Sequence, residues 1–164
     1  MTVILRTLHI LFGIFWAGTT FFTTLILEPR LRRLGSGIQN PVMNALMPII
    51  TPLMMLSSLI VLGTGVVLTF SLWSSMESLF TTTPGIILTA GFVLTVAAMT
   101  VGFGFLAPTG MRMGKLAKTL EGRAPSQEET AQLSMLSHRI EFFSRINFVL
   151  ILLSVLAMAL LRNV

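Results

Sequence analysis

TLHILFGIFWAGTTFFTTLIL, residues 7–27, runs without a single Asp, Glu, Lys or Arg. At about 1.5 Å per residue, a helix of about 20 apolar residues crosses a hydrocarbon core about 30 Å thick. An ionised side chain at the bilayer centre costs about 2.5–3.5 kcal/mol even on the lenient insertion scale. A stretch of this length cleared of charge therefore reads as a membrane span.

Three further charge-free stretches follow, at 34–76, 78–111 and 146–161. The 11 basic and 6 acidic residues all lie between or beside the four stretches. Charged residues make up 10% of the chain, against about 25% in a soluble domain. The expected fold is all-α: an integral membrane up-down four-helix bundle, with residues 1–164 forming one transmembrane domain. The expected spans are about 4–27, 48–72, 84–107 and 142–161.

Local signals set those limits. Arg6 before an apolar run resembles the start of a signal peptide, but the run exceeds an h-region and Glu28-Pro29-Arg30 stands where small residues would mark cleavage. Pro29 is expected to end the first helix, because the residue before a proline avoids helical backbone. Pro48 and Pro52 are expected in the first turns of the second, where proline is tolerated. Residues 38–47 read as a short interfacial helix. Thr81-Thr82-Thr83-Pro84 opens the third span and Pro108 closes it. The fourth extends upstream as an amphipathic helix from Ser126, which forms a capping box with Glu129.

Orientation follows from the cations. Arg30, Arg32, Arg33, Arg112, Lys115, Lys118, Arg123, Arg139 and Arg145 fall on one side, and only Arg6 and Arg162 on the other. The positive-inside rule places both basic loops in the cytoplasm and both termini outside. Trp73 is expected to anchor the outer turn at the interface. The net charge of +5 belongs to these loops and calls for no nucleic acid. The lipid bilayer is the expected partner, with other membrane subunits or further copies of the chain beside it.

Two groups of residues carry candidate chemistry. On the first span, His9, Gly13 and Trp16 share one helical face, and Gly13 with Ala17 forms a small-xxx-small pair suited to close helix approach. His9 is expected to face the bundle interior with Gly13 and Trp16. An ionisable side chain within a span is a functional candidate by default, here a metal or haem b ligand. Met158 is placed at the same depth near the end of the fourth span, and His with Met is a known axial pair for haem. Packing or an interfacial hydrogen bond is the structural alternative for His9. The second group is Glu28, His138, Arg139, Glu141 and Arg145. Glu141 and Arg145 stand at the favourable i,i+4 spacing, and Glu28 is expected near Arg145 or Arg139. This cluster reads as a device that sets helix depth and register, or as a headgroup, quinone or proton-entry site. Asn147 is expected to bond across helices. Gly63, Gly65, Gly102 and Gly104 permit close packing or bending. The absence of cysteine excludes thiolate chemistry.

The stretch Leu8-His9-Ile10-Leu11-Phe12-Gly13-Ile14-Phe15-Trp16-Ala17-Gly18 resembles the first-span pattern of small bacterial membrane proteins of the CopD-like and HemJ-like groups and their uncharacterised relatives. The Glu28-Pro29 exit and the stretch ending Arg145-Ile146-Asn147 resemble the latter. The resemblance implies a bacterial inner-membrane location. In HemJ-like proteins the first-span histidine is associated with haem and the activity is protoporphyrinogen oxidation, so the resemblance carries over to His9 alone. HemJ-like proteins also have a lysine in a later span, and this chain has none in any span. CopD-like proteins are linked to copper, which would fall here to methionine. The leading expectation is a non-enzymatic small subunit or accessory factor of a membrane assembly. The alternative is a haem-binding electron-transfer or redox-sensing protein centred on His9, followed by a small oligomeric channel or transporter.

Overall fold

Apolar side chains dominate every long segment, and every described segment that can coil into a helix does so. The computed structural model describes residues 2–72, 75–120 and 122–161 and contains no strand among them. Helix α1 spans Thr2–Arg33, α2 Ser36–Leu72, the short α3 Ser78–Thr81, α4 Thr83–Thr119 and α5 Gln127–Leu160. The four long helices are each long and apolar enough to cross a membrane. Trp73 and Arg162 lie outside the described residues.

Three of the four long helices outrun the limits expected from the prolines. Pro29 does not end α1, and Pro108 does not end α4. Each follows a single wide turn with i→i+5 hydrogen bonding: Thr23–Leu27 in α1, where the Glu28 N–H donates to the Thr23 carbonyl, and Gly102–Leu106 in α4, where the Ala107 N–H donates to the Gly102 carbonyl. A proline ring crowds the carbonyl four residues before it and offers that carbonyl no N–H. Those carbonyls belong to Leu25 and Gly104, the middle residues of the two wide turns. Widening the turn makes room for the ring, and the helix resumes. Both prolines sit six residues after the start of their wide turn. The first and third long helices therefore share one construction, a repeat that residue identities alone do not display.

The second helix departs from expectation in the same direction. Residues 38–47 are not a separate interfacial piece, and Pro48 is not a start. Pro41, Pro48 and Pro52 all lie inside one continuous helix of 37 residues. An interior proline disfavours an isolated helix in water by about 3 kcal/mol. In an apolar medium the backbone has no better alternative than to keep its remaining internal hydrogen bonds.

Helix α1 packs along α2, and α4 packs along α5, so the molecule is built as two hairpins. Contacts between hairpins are sparser and run chiefly between α1 and α5 and between α2 and α4. Their shared core is Trp16 and Ala17 from α1, Ala98 and Met99 from α4 and Ile151 from α5, joined by Leu62 and Met54 from α2. Phe21 meets Phe148 edge-on at 5.1 Å, and Phe105 stacks on Phe143 at 4.5 Å. Helix α5 begins with the capping box: the Glu129 N–H donates to Ser126 Oγ, and the Glu129 carboxylate accepts from the Ser126 N–H.

Candidate functional site

Helix α1 places His9 and Trp16 about two turns apart, but they do different work. Trp16 is buried in the core shared by the hairpins. His9 is half-buried and turned onto α2, where Nδ1 lies 3.0 Å from the Val61 carbonyl oxygen and 3.0 Å from Thr64 Oγ1. Thr64 donates its own proton to the Ile60 carbonyl at 2.6 Å. A carbonyl oxygen only accepts, so Nδ1 carries the proton and shares it between Val61 and Thr64. The Nε2 lone pair is then left without a role in this contact. Gly65 lets the ring approach: a Cβ there would stand 3.1 Å from His9 Cε1. Gly13 borders open space, with nothing within 4 Å of where its Cβ would be. The face His9–Gly13–Trp16 is therefore split between a hairpin contact and the central core.

Met158 lies on the other hairpin. Its Cε sits 2.9 Å and its sulfur 4.0 Å from where a Cβ on Gly91 would stand. It fills the groove that Gly91 opens between α5 and α4, as His9 fills the one at Gly65. The second hairpin also holds a buried polar clasp. Thr95 Oγ1 and Ser154 Oγ are 2.7 Å apart, and Ser154 also donates to the Gly91 carbonyl at 3.2 Å. Among the described residues, no group of three His or Glu side chains is placed to hold a metal ion.

The charged end of the bundle is built by the part of α1 that continues past Pro29. One more turn brings Arg32 beside α5, where its guanidinium donates to Glu141 Oε2. Arg145 donates to Glu141 Oε1 at 2.6 Å. Glu141 is thus shared between two arginines. Glu28 pairs with neither Arg145 nor Arg139. Its Oε1 accepts a long bond from Ser144 Oγ at 3.4 Å, and among the described residues it forms no ion pair. Thr24, Glu28, Pro29, Arg32, Glu141 and Arg145 line one open cavity of about 270 Å³. His138 stands one turn before Glu141 on α5. Neither His138 nor Arg139 lines the cavity.

A helix that ended at Pro29 would leave Arg32 in a loop, away from Glu141. The signal was available as the i,i+4 spacing of Glu28 and Arg32, which has meaning only if the helix continues. Ser144 carried no signal beyond its place three residues after Glu141.

Asn147 differs from its expected role. It is 4% exposed, and its Oδ1 is buried without a hydrogen-bond partner among the described residues. An unsatisfied buried acceptor costs about 1–3 kcal/mol. Asn147→Leu, close in volume, is expected to raise the midpoint of thermal unfolding in detergent. A lowered midpoint would show that Asn147 is satisfied in the working protein, by water or by another chain.

Comparison with known proteins yields no relative: no family model, no curated protein and no solved structure matches this chain.

Proposed function

We propose that this chain is a non-enzymatic integral membrane protein, a small subunit or accessory factor of a larger membrane assembly in a bacterial inner membrane. The supporting observation is how it uses the polar groups inside its spans. Thr95, Ser154 and Thr64 all spend their hydrogen bonds on backbone or on one another, and His9 spends Nδ1 on α2. Ionisable side chains are rare in hydrocarbon and mark substrate or ion pathways when they face a cavity, while serine and threonine commonly bond at helix contacts. Here they fasten helix to helix. Gentle solubilisation followed by identification of co-eluting chains tests the reading. A defined partner at fixed stoichiometry is the expected result. A monodisperse, partner-free chain that turns over a substrate would overturn it.

The orientation that goes with this reading puts both basic loops in the cytoplasm. The chain has no cysteine, so introduced thiols report without background. In intact cells, an impermeant maleimide is expected to label Ser75→Cys and to spare Lys118→Cys. The reverse pattern would invert the topology.

A second reading rests on one detail of His9. A histidine that holds haem iron or another metal commonly donates its other ring N–H to a carbonyl, and here Nδ1 faces Val61 and leaves Nε2 as the free lone pair. The first-span resemblance points the same way. Met158, packed against Gly91, is the sulfur ligand this reading would have to recruit. A reduced-minus-oxidised spectrum of protein expressed with added haem decides it. A Soret band lost in His9→Ala supports haem at His9, and no band in the wild type removes the reading.

A further inference from the structure

The cavity at the charged end has a polarity that the packing role does not use. Arg32 and Arg145 are both held by Glu141, so the three together carry one net positive charge. Each guanidinium has five N–H donors. One nitrogen of each is engaged with Glu141, and the rest of the fork remains available. One turn before Arg32 on α1, Glu28 is a half-buried carboxylate near both arginines, with one long hydrogen bond from Ser144 and no ion pair among the described residues. The cavity of about 270 Å³ is therefore lined by both signs of charge, two arginines sharing Glu141 and one carboxylate, Glu28, outside any ion pair among the described residues.

Position supplies the second constraint. Glu28 closes the charge-free stretch 7–27, and Arg145 immediately precedes the stretch 146–161. In a membrane-spanning bundle both belong at the boundary between hydrocarbon and headgroups. Resting on that reading, the geometry points to a binding site for the headgroup of a zwitterionic amine phospholipid. Its phosphate meets the Arg32–Arg145 pair and its primary ammonium meets Glu28. A headgroup carrying both charges meets both signs of the lining, whereas a simple anion would be repelled by Glu28 and a simple cation by the arginines. A primary ammonium donates hydrogen bonds to Glu28, and a quaternary trimethylammonium has none to give.

Native mass spectrometry of the full chain in detergent, titrated with equal amounts of phosphatidylethanolamine, phosphatidylcholine and phosphatidylglycerol, reads the preference directly. Wild-type protein is expected to retain phosphatidylethanolamine roughly five-fold better than phosphatidylcholine, about what one partly exposed charge contributes. Glu28→Gln is expected to abolish that preference, and Arg145→Gln to weaken retention of all three lipids alike. Equal retention of phosphatidylethanolamine and phosphatidylcholine by the wild type would overturn the proposal, and this comparison needs no variant to fold. Stronger retention of phosphatidylglycerol, or displacement of bound lipid by inorganic phosphate, would overturn it in favour of an anion site. Loss of lipid preference while maleimide labelling keeps its expected pattern defeats the site alone. Failure of the chain to insert in the labelling experiment defeats the membrane reading with it.

Discussion

Gly85→Ala is expected to destabilise the protein more than any other single methyl addition. A Cβ at Gly85 would stand 2.2 Å from the Ser78 carbonyl oxygen and 2.7 Å from Leu79 Cα. Both are backbone atoms, and neither can rotate away. The close approach is part of the start of α4: the Gly85 N–H donates to Thr82 Oγ1, and Thr82 donates to the same Ser78 carbonyl. Overpacking costs typically 1–3 kcal/mol when side chains can yield. Against fixed backbone we expect the upper end, about 3 kcal/mol, read as a lowered unfolding midpoint in detergent. Gly91→Ala is the informative control. Its Cβ would meet the flexible end of Met158 at 2.9 Å, so a rotamer change relieves it. If Gly85→Ala proved as mild as Gly91→Ala, the packing of α3 against α4 described above would be wrong.

The second large effect is expected at the seam between the hairpins. Trp16 is 7% exposed and packs with Ala17, Ala98, Met99 and Ile151. Removing a buried tryptophan side chain from a soluble core costs about 3–5 kcal/mol. In the lipid setting proposed above, the part that comes from leaving water is absent, since the tails are as apolar as the core, and van der Waals contact remains. Trp16→Ala is therefore expected to cost about 2–3 kcal/mol. Because contacts between hairpins are sparse, the loss should fall on their association. Disulfide trapping between cysteines introduced on α1 and α5 should slow in Trp16→Ala, while trapping between α1 and α2 stays at the wild-type rate. Equal slowing of both would show that the hairpins are not separate packing units.

Four long apolar helices were legible from charge placement alone. Excluding ionised groups from a low-dielectric medium is a constraint on composition, and composition is fully present in the sequence. The capping box at Ser126 and Glu129 was legible for a related reason: it joins residues three apart, and local hydrogen bonds need no tertiary partner. The i,i+4 pair of Glu141 and Arg145 belongs to the same class.

Helix limits depart from expectation at Pro29, Pro48 and Pro108, whereas Pro84 stands in the first turn of α4 as its sequence context implies. The propensity that ends helices at proline is measured in water, where released carbonyls find solvent. The helices continue through Pro29 and Pro108 because a wide turn accommodates each ring. Arg32 reached Glu141 only through this continuation, so the composition of the charged end was decided by tertiary structure. The same holds for His9. Its position within a span was evident from residue order, but its turn toward Val61 and Thr64 depended on Gly65 leaving space 56 residues away in the chain. Sequence determines which segments avoid water and which cannot carry charge, because those are properties of single residues summed over a window. Only the packed helices decide which polar group meets which, because that depends on distances between residues the chain holds far apart.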